Sequence, residues 1–183
     1  MVKLCPGLRI LELLYCCHLT EITIAQPGLK RNLRRLTVAG TPALSHQVFE
    51  EWFRNTLPLL SNVTVLTICS NTLQIVSSLR DAGANAEVAN LQSLRELQLL
   101  MFELTAPDLG NIFVFLKSYQ RPNLRKLVVQ LPTNSASPED FLGLLQEEQP
   151  ELGLDNLEVE AHQRPELADT VQLGSAAQAG QTT

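Results

Sequence analysis

One short pattern recurs along the chain and constrains its fold more than any other feature. The pattern is three apolar residues spaced as L-x-x-L-x-L, with Ile or Val also allowed, and it occurs seven times. The first residues of successive copies lie 11, 14, 30, 31, 30 and 30 positions apart. The last four steps are almost identical, which indicates a repeat protein, in which each unit covers the apolar face of its neighbour.

Each copy is too short for a helix and has the length of one strand. The seven copies are Leu8-Leu11-Leu13, Leu19-Ile22-Ile24, Leu33-Leu36-Val38, Val63-Leu66-Ile68, Leu94-Leu97-Leu99, Leu124-Leu127-Val129 and Leu154-Leu157-Val159. This is the core spacing of leucine-rich repeats. We therefore predict an α/β fold: a leucine-rich-repeat solenoid with a curved parallel sheet and helices on its convex side.

The segments between the copies predict these helices. Apolar residues recur at helical spacing after the third copy (Val48, Phe49, Trp52, Phe53, Leu57) and after the fifth (Leu109, Ile112, Phe113, Leu116). The predicted N-caps are Ser45, Thr105 and Ser137, with Pro107 in a first turn, Pro138 after its cap and Asp140 as a capping-box acid. After the fourth copy, Leu73, Val76 and Leu79 fit a short helix, but the Ile75-Val76 pair also fits a strand.

The repeats are predicted to form one domain over residues 1–163, with about seven strands. The first two steps are shorter than the others and hold only tight turns, so that end should be flatter. Residues 164–183 are small, polar and aperiodic, and predict a disordered tail. The first strand would leave an open edge, from which we expect poor solubility or self-association of the isolated chain.

Two phrases of the sequence resemble a known family. "LRILELLYCCHL" extends the first copy to L-x-x-L-x-L-x-x-C-x-x-L, with Cys16 and Leu19 at the last two marked positions. This resembles the cysteine-containing repeats that accompany F-box domains. "LCPGLRILELLYCCHLTEITI" and "FLKSYQRPNLRKLVVQLPT" are similar to phrases of plant, particularly grass, F-box/leucine-rich-repeat proteins. The resemblance covers about residues 4 to 160.

The resemblance implies a role in substrate recognition by a ubiquitin ligase. In that family, an N-terminal F-box binds a Skp-type adaptor and the repeats select the protein substrate. Here the repeats begin within ten residues of Met1, so an adaptor is expected only for a longer form with an F-box. Two alternatives stay open: an incomplete repeat fragment without independent activity, and a repeat segment of a plant immune receptor.

The sequence offers no catalytic, cofactor or metal site, so we predict that the protein is not an enzyme. His18, His46 and His162 lie in separate repeats, and the four cysteines form no C-x-x-C pair. Neither glycine-rich phosphate loop is present. The net charge of −5 is spread along the chain, which predicts neither nucleic acid nor membrane as partner. Without a signal peptide, we expect a cytoplasmic or nuclear protein.

Strand alternation predicts which side chains face a partner on the concave side. The predicted partner-binding residues are Arg9, Glu12, Arg34, Thr37, Thr67, Arg95, Gln98, Arg125 and Val128. The four arginines follow the first residue of their copies, so they could form a broken basic stripe. Two interpretations remain. The arginines could pair with the neighbouring acids Glu12, Glu21, Glu96 and Glu158, or they could bind an acidic segment of a partner.

Overall fold

The computed structural model describes residues 7–14, 32–40, 51–52, 60–78, 91–102, 104–118, 123–133, 137–152 and 156–163. These residues contain six strands: β1 (Ile10–Leu14), β2 (Arg35–Ala39), β3 (Val65–Cys69), β4 (Glu96–Leu100), β5 (Lys126–Leu131) and β6 (Glu158–Gln163). They also contain three helices: α1 (Ser70–Ser78), α2 (Ala106–Ser118) and α3 (Pro138–Leu152). The predicted α/β class is confirmed.

The six strands form one parallel sheet in the order β1-β2-β3-β4-β5-β6, which is also their order along the chain. Parallel neighbours need a crossover connection, because the chain must return to the same end of the sheet. The helices α1, α2 and α3 lie in the last three of these connections. Each strand is therefore joined to its spatial neighbour by one repeat-length segment.

The patterned apolar residues stack in two rows across the sheet. The rows are Leu11-Leu36-Leu66-Leu97-Leu127-Val159 and Leu13-Val38-Ile68-Leu99-Val129-Ala161. The members on β2 to β5 are at most 1% exposed, and the members on β1 are 8% exposed. Burying a side chain of this size contributes roughly 1.5–3 kcal/mol, so the two rows supply a large share of the stability.

The helices complete the same core. The buried residues of the two rows form one cluster with helix residues Leu73, Val76, Ile112, Phe115, Leu116, Phe141 and Leu145. The helices thus cover the leucine-bearing face of the sheet. The stripe predicted for α2 is confirmed at Ile112 and Leu116, while Leu109 and Phe113 are only partly buried. Phe115, which the stripe omitted, is fully buried.

Two predicted cap residues directly precede their helices, and the Ser137 side chain accepts from a helix amide while the Thr105 side chain donates to Asp108. At α3, the Asp140 amide donates to Ser137 Oγ (3.1 Å) and the Ser137 amide donates to Asp140 Oδ2 (3.3 Å), which makes a reciprocal capping box. At α2, the amide and hydroxyl of Thr105 both donate to Asp108 Oδ2, at 2.9 and 2.6 Å. These bonds satisfy polar groups near the helix start, where the backbone lacks internal partners.

The segment after the fourth copy, left open by the sequence, is helical. Helix α1 starts at Ser70, directly after β3 ends. Leu73 and Val76 are buried as a helix predicts, and Thr72 beside them is also buried. The β-branched residues are accommodated because tertiary packing, and not intrinsic preference, decides the conformation of a short buried segment.

The last copy pairs in a different register from the predicted one. A continuation of the earlier spacing would place Leu157 beside Leu127, but Leu127 pairs with Val159 and Val129 with Ala161. The shift is two residues, so every side chain keeps its face of the sheet. Leu157 instead precedes the strand and packs, partly buried, against the core.

The first and third copies supply neighbouring strands of the sheet. Strand β1 pairs directly with β2, with Leu11 beside Leu36. The prediction of a separate strand at that place in the sheet is therefore wrong. The two short steps together, 25 residues, come close to the length of one later step.

Several predictions fall outside the described residues. They concern the second copy itself, Ser45, most of the helix predicted after the third copy, Leu79, and residues 164–183. Of that helix, Glu51 and Trp52 are described, and both are helical. Trp52 is 9% exposed and belongs to the core cluster, as its place in the predicted stripe requires.

Candidate functional site: the outer face and the arginine rim

The sheet has a second face, which we call the outer face. It carries the strand residues that alternate with the leucine rows. Its three rows are Ile10-Arg35-Val65-Glu96-Lys126-Glu158, Glu12-Thr37-Thr67-Gln98-Val128-Glu160, and a last row that includes Leu14, Ala39, Cys69, Leu100, Gln130 and His162. The described helices pack on the opposite, leucine-bearing face.

Five of the predicted partner-binding residues lie in one row of the outer face. They are Glu12, Thr37, Thr67, Gln98 and Val128, and each pairs in register with the next. The structure therefore brings together side chains that come from five different repeats of the sequence. Glu160 continues the row on β6.

The other four predicted residues lie at a different place. The strands begin at Ile10, Arg35, Glu96 and Lys126, each directly after one of the four arginines. Arg9, Arg34, Arg95 and Arg125 are exposed residues at the amino-terminal end of the sheet, which we call the arginine rim. These four predicted residues therefore directly precede the strands, while the other five lie within them.

A repeated backbone arrangement fixes the rim. The carbonyl of Arg9 accepts from the amides of Arg34 (2.8 Å) and Arg35 (3.0 Å). The carbonyl of Arg95 accepts in the same way from Arg125 (2.9 Å) and Lys126 (3.0 Å). The carbonyls of Arg34 and Thr64 each accept from two amides of the following strand as well. Each rim residue is thus held beside the next, with Thr64 at the centre of the line.

The rim guanidinium groups differ in their contacts. Arg34 Nη1 donates to the backbone carbonyls of Asn62 (3.2 Å) and Leu33 (3.4 Å). Within the described part of the chain, the guanidinium groups of Arg9, Arg95 and Arg125 have no hydrogen-bond or ion-pair partner. Of the acids predicted to pair with the arginines, Glu21 lies outside the described residues. Among the described residues, no ion pair neutralises the guanidinium groups of these three arginines.

A hydrogen-bonded chain crosses the middle of the outer face. The Thr67 hydroxyl donates to Gln98 Oε1 at 3.0 Å, and Gln98 Nε2 donates to Glu96 Oε1. Thr67 is only 5% exposed, so its hydroxyl needs this partner. The chain fixes the orientation of the Gln98 amide and occupies the Glu96 carboxylate, which leaves Glu96 less available to a rim arginine.

A charged group lies on the outer face of β5 and β6. Lys126 Nζ is 2.7 Å from Glu160 Oε1, and His162 Nε2 is 3.4 Å from Glu160 Oε2. The hydrogen bond from Lys126, followed by the one from His162, lowers the pKa of the Glu160 carboxyl. The hydrogen bond to Glu160 in turn raises the pKa of Lys126. With Glu158 beside it, this end of the face is acidic overall.

Four residues of the outer face were not among the predicted partner-binding residues. Glu160 and His162 lie beyond the last repeat pattern, and the two-residue register shift pairs them with Val128 and Gln130 of β5. Ile10 and Leu14 are large apolar residues on β1, and they are 54% and 47% exposed. Their signal was the unbroken apolar character of "ILELL", in which the outward positions are apolar as well as the inward ones.

The described residues contain no group of three or more His, Cys, Asp or Glu side chains that could hold a metal ion. Cys69 is buried, and its Sγ lies 3.3 Å from Thr72 Oγ1. Burial and this contact are consistent with a packing residue. His18 and His46 lie outside the described residues, while His162 is exposed beside Glu160.

No protein-family model, curated protein or solved structure matches the chain. A search of the described helices found none with the length and apolar character that a membrane span requires. The functional proposal is therefore based on the outer face, where a row of small and polar side chains on a parallel sheet is bordered by a basic rim.

Proposed function

We propose that this chain is a non-enzymatic protein-binding module. In this proposal it is a leucine-rich-repeat solenoid whose outer face is the concave surface, and it resembles the substrate-recognition region of an F-box ubiquitin-ligase subunit. A Skp-type adaptor would be bound only through an F-box of a longer form. This role would place the protein in the cytoplasm or the nucleus.

One observation carries the proposal: the row from Glu12 to Glu160 runs across all six strands on the face opposite the helices. The row joins two largely buried side chains at its centre, Thr37 and Thr67, to longer and more accessible polar ones, such as Glu12 and Gln98. The accessible polar ends provide hydrogen bonds of defined direction to a partner. A sheet fixed by six paired strands loses little entropy when a partner binds.

The exposed apolar residues of β1 favour a second interpretation. Ile10 and Leu14 expose apolar surface on an end strand of the described sheet. Repeat arrays need polar caps at their ends, and an uncovered end strand invites another strand. In this reading the chain is an incomplete repeat array, and its association with other chains reflects the exposed end and not a recognition surface.

Site-specific photocrosslinking tests the proposal and separates the two readings. A photoreactive phenylalanine analogue replaces Glu12 or Val128 on the outer face, or Gln74 on the exposed side of α1 as a control. The variants are irradiated in cells, and the crosslinked proteins are identified by mass spectrometry. We expect the two outer-face positions to capture a shared set of proteins that Gln74 does not capture.

Two outcomes would contradict the proposal. Capture of the same proteins from Gln74 and from the outer face would indicate unspecific association. Crosslinks confined to Glu12, and leading only to other copies of this chain, would support the incomplete-array reading, because Glu12 lies on the end strand and Val128 does not.

A further inference from the structure

We propose that the arginine rim binds an acidic peptide segment, which lies across the strands at their amino-terminal ends. This inference rests on the proposed protein-binding function and names the chemistry of the partner. It is distinct from the outer-face row, because the rim residues precede the strands.

The rim has the dimensions of a short peptide. The shared carbonyls hold Arg9, Arg34, Thr64, Arg95 and Arg125 in this order on adjacent strands. Neighbouring strands lie about 4.8 Å apart, so the four steps span about 19 Å. An extended peptide rises about 3.3 Å per residue, and about six residues therefore cover the rim.

The charge pattern is two arginine pairs around a neutral centre. Arg9 and Arg34 lie on neighbouring strands, as do Arg95 and Arg125, and Thr64 lies between the pairs. Like charges held side by side repel each other, and a bound anion relieves that repulsion. A segment with two acidic residues, a short neutral gap and two further acidic residues matches the pattern.

No described carboxylate forms an ion pair with a rim arginine, although the Glu158 amide donates to the Arg125 carbonyl at 2.8 Å. Glu96 accepts a hydrogen bond from Gln98, and Glu160 pairs with Lys126. Glu12 lies three residues beyond Arg9, about 10 Å away along the strand. Guanidinium groups bind carboxylates through two parallel hydrogen bonds, so a partner's Asp or Glu side chains are suitable ligands for Arg95 and Arg125.

A nucleic acid fits the same surface less well. Glu158 and Glu160 on the adjoining outer face would repel a phosphate backbone, and the whole chain has a net charge of −5. The described rows of the outer face contain no Phe, Tyr or Trp on which a base could stack. The rim therefore favours a protein segment.

The test uses the full chain and a fluorescent peptide of sequence Glu-Glu-Gly-Ser-Glu-Glu, with binding measured by fluorescence anisotropy. Reference probes are the same peptide with Gln in place of Glu and a single-stranded oligonucleotide of equal charge. The test variant is Arg95→Gln with Arg125→Gln, because neither side chain has a described partner whose loss could disturb the fold. The control is Arg35→Gln with Lys117→Gln, which removes the same charge from exposed positions outside the rim.

We expect the acidic peptide to bind the wild-type chain and the control with similar affinity. The rim variant should bind at least about tenfold more weakly, because two charge-assisted contacts are lost. Raising the salt from about 50 mM to about 300 mM should weaken the wild-type complex markedly, since exposed charges are screened. Circular dichroism melting of each variant verifies that its fold is retained.

Three results would overturn the inference: equal binding of the Gln peptide, equal weakening in the control, or tighter binding of the oligonucleotide. The photocrosslinking test distinguishes failure of the rim inference from failure of the proposed function. If crosslinks from Glu12 and Val128 persist while the peptide fails to bind, the rim inference falls and the protein-binding proposal stands. If the crosslinks fail, the proposed function falls.

Discussion

Lys126 pairs with Glu160 and not with Glu158, although Glu158 is its direct neighbour across the strands. The backbone register places Lys126 beside Glu158, yet the Lys126 Nζ atom lies 2.7 Å from Glu160 Oε1. Glu160 is the diagonal neighbour, two residues further along β6, and is within reach of a long side chain. His162 Nε2 approaches the other carboxylate oxygen of Glu160 at 3.4 Å.

This arrangement makes a prediction about the Glu160 titration. Lys126 is the larger cause of the lowered pKa and His162 the second, so Lys126→Gln should raise the Glu160 pKa more than His162→Gln does. The measurement is the carboxyl carbon chemical shift of Glu160 followed by NMR through the acid range. A larger rise in His162→Gln would contradict the order of the two contacts.

The same pair sets a pH window for its contribution to stability. Because the Glu160 pKa is lowered on folding, its contribution is present above the pKa of the unfolded chain and is lost as pH falls through the lower folded value. Because the Lys126 pKa is raised, its contribution is present at neutral pH and is lost as pH rises through the folded value. Both side chains are about one-third exposed (33% and 34%), so the change should be small and should weaken in high salt.

A second prediction concerns the leucine rows. Leu66 is completely buried in the middle of its row. Leu66→Ala should lower the free energy of unfolding by about 2–5 kcal/mol, because it removes buried methyl groups and leaves a cavity. Chemical denaturation measures the change. Val65→Ala, at the next position but on the outer face, is the matched control and should cost much less. Equal losses would contradict the assignment of the two faces.

A third prediction concerns the end of β2. Gly40 follows the strand directly and has a φ of 64°, in the left-handed region where a side chain is strained. Gly40→Ala should destabilise the fold by about 1–2 kcal/mol. Gly110→Ala in α2 is the control, since a Cβ there meets no atom within 4 Å. That substitution should stabilise the helix by about 0.5–1 kcal/mol, so thermal melting should shift in opposite directions for the two variants.

A fourth prediction concerns association through β1. Replacing Ile10 and Leu14 together by Lys removes exposed apolar surface from the end strand and adds charge, which discourages pairing with another chain. If the isolated chain self-associates, this variant should be monomeric at concentrations where the wild type is not. Sedimentation velocity measures the difference. Lys117→Gln, a surface change remote from β1, should leave the association unchanged.

The register of β2 to β5 followed from the sequence because one physical rule determines it. Leu36, Leu66, Leu97 and Leu127 recur at almost constant spacing, and each can be buried only beside its counterpart. A slip of one residue would turn every leucine to the outer face, so the apolar pattern excludes it. The caps at Ser137 and Thr105 were predictable for a similar reason, because their hydrogen bonds are local.

The burial of the leucines did not determine the register of β6 or the place of the rim arginines. A slip of two residues keeps every side chain on its face, so the leucine spacing alone could not distinguish Leu157 from Val159 as the partner of Leu127. The place of Arg9 and Arg125 depends on where each strand begins. Alternation within a strand does not determine its first residue, so the sequence could not show that both arginines directly precede their strands.

The order of the sheet has a consequence for how the chain assembles. Every described strand hydrogen-bonds only to the described strands that come directly before or after it along the chain, about one repeat away in the sequence. Closing a loop of that size costs modest entropy, and no strand pairing requires distant parts of the chain to meet first. Folding can therefore start at one central strand pair and extend outward, and amide hydrogen exchange should be slowest in β3 and β4 and faster toward both ends.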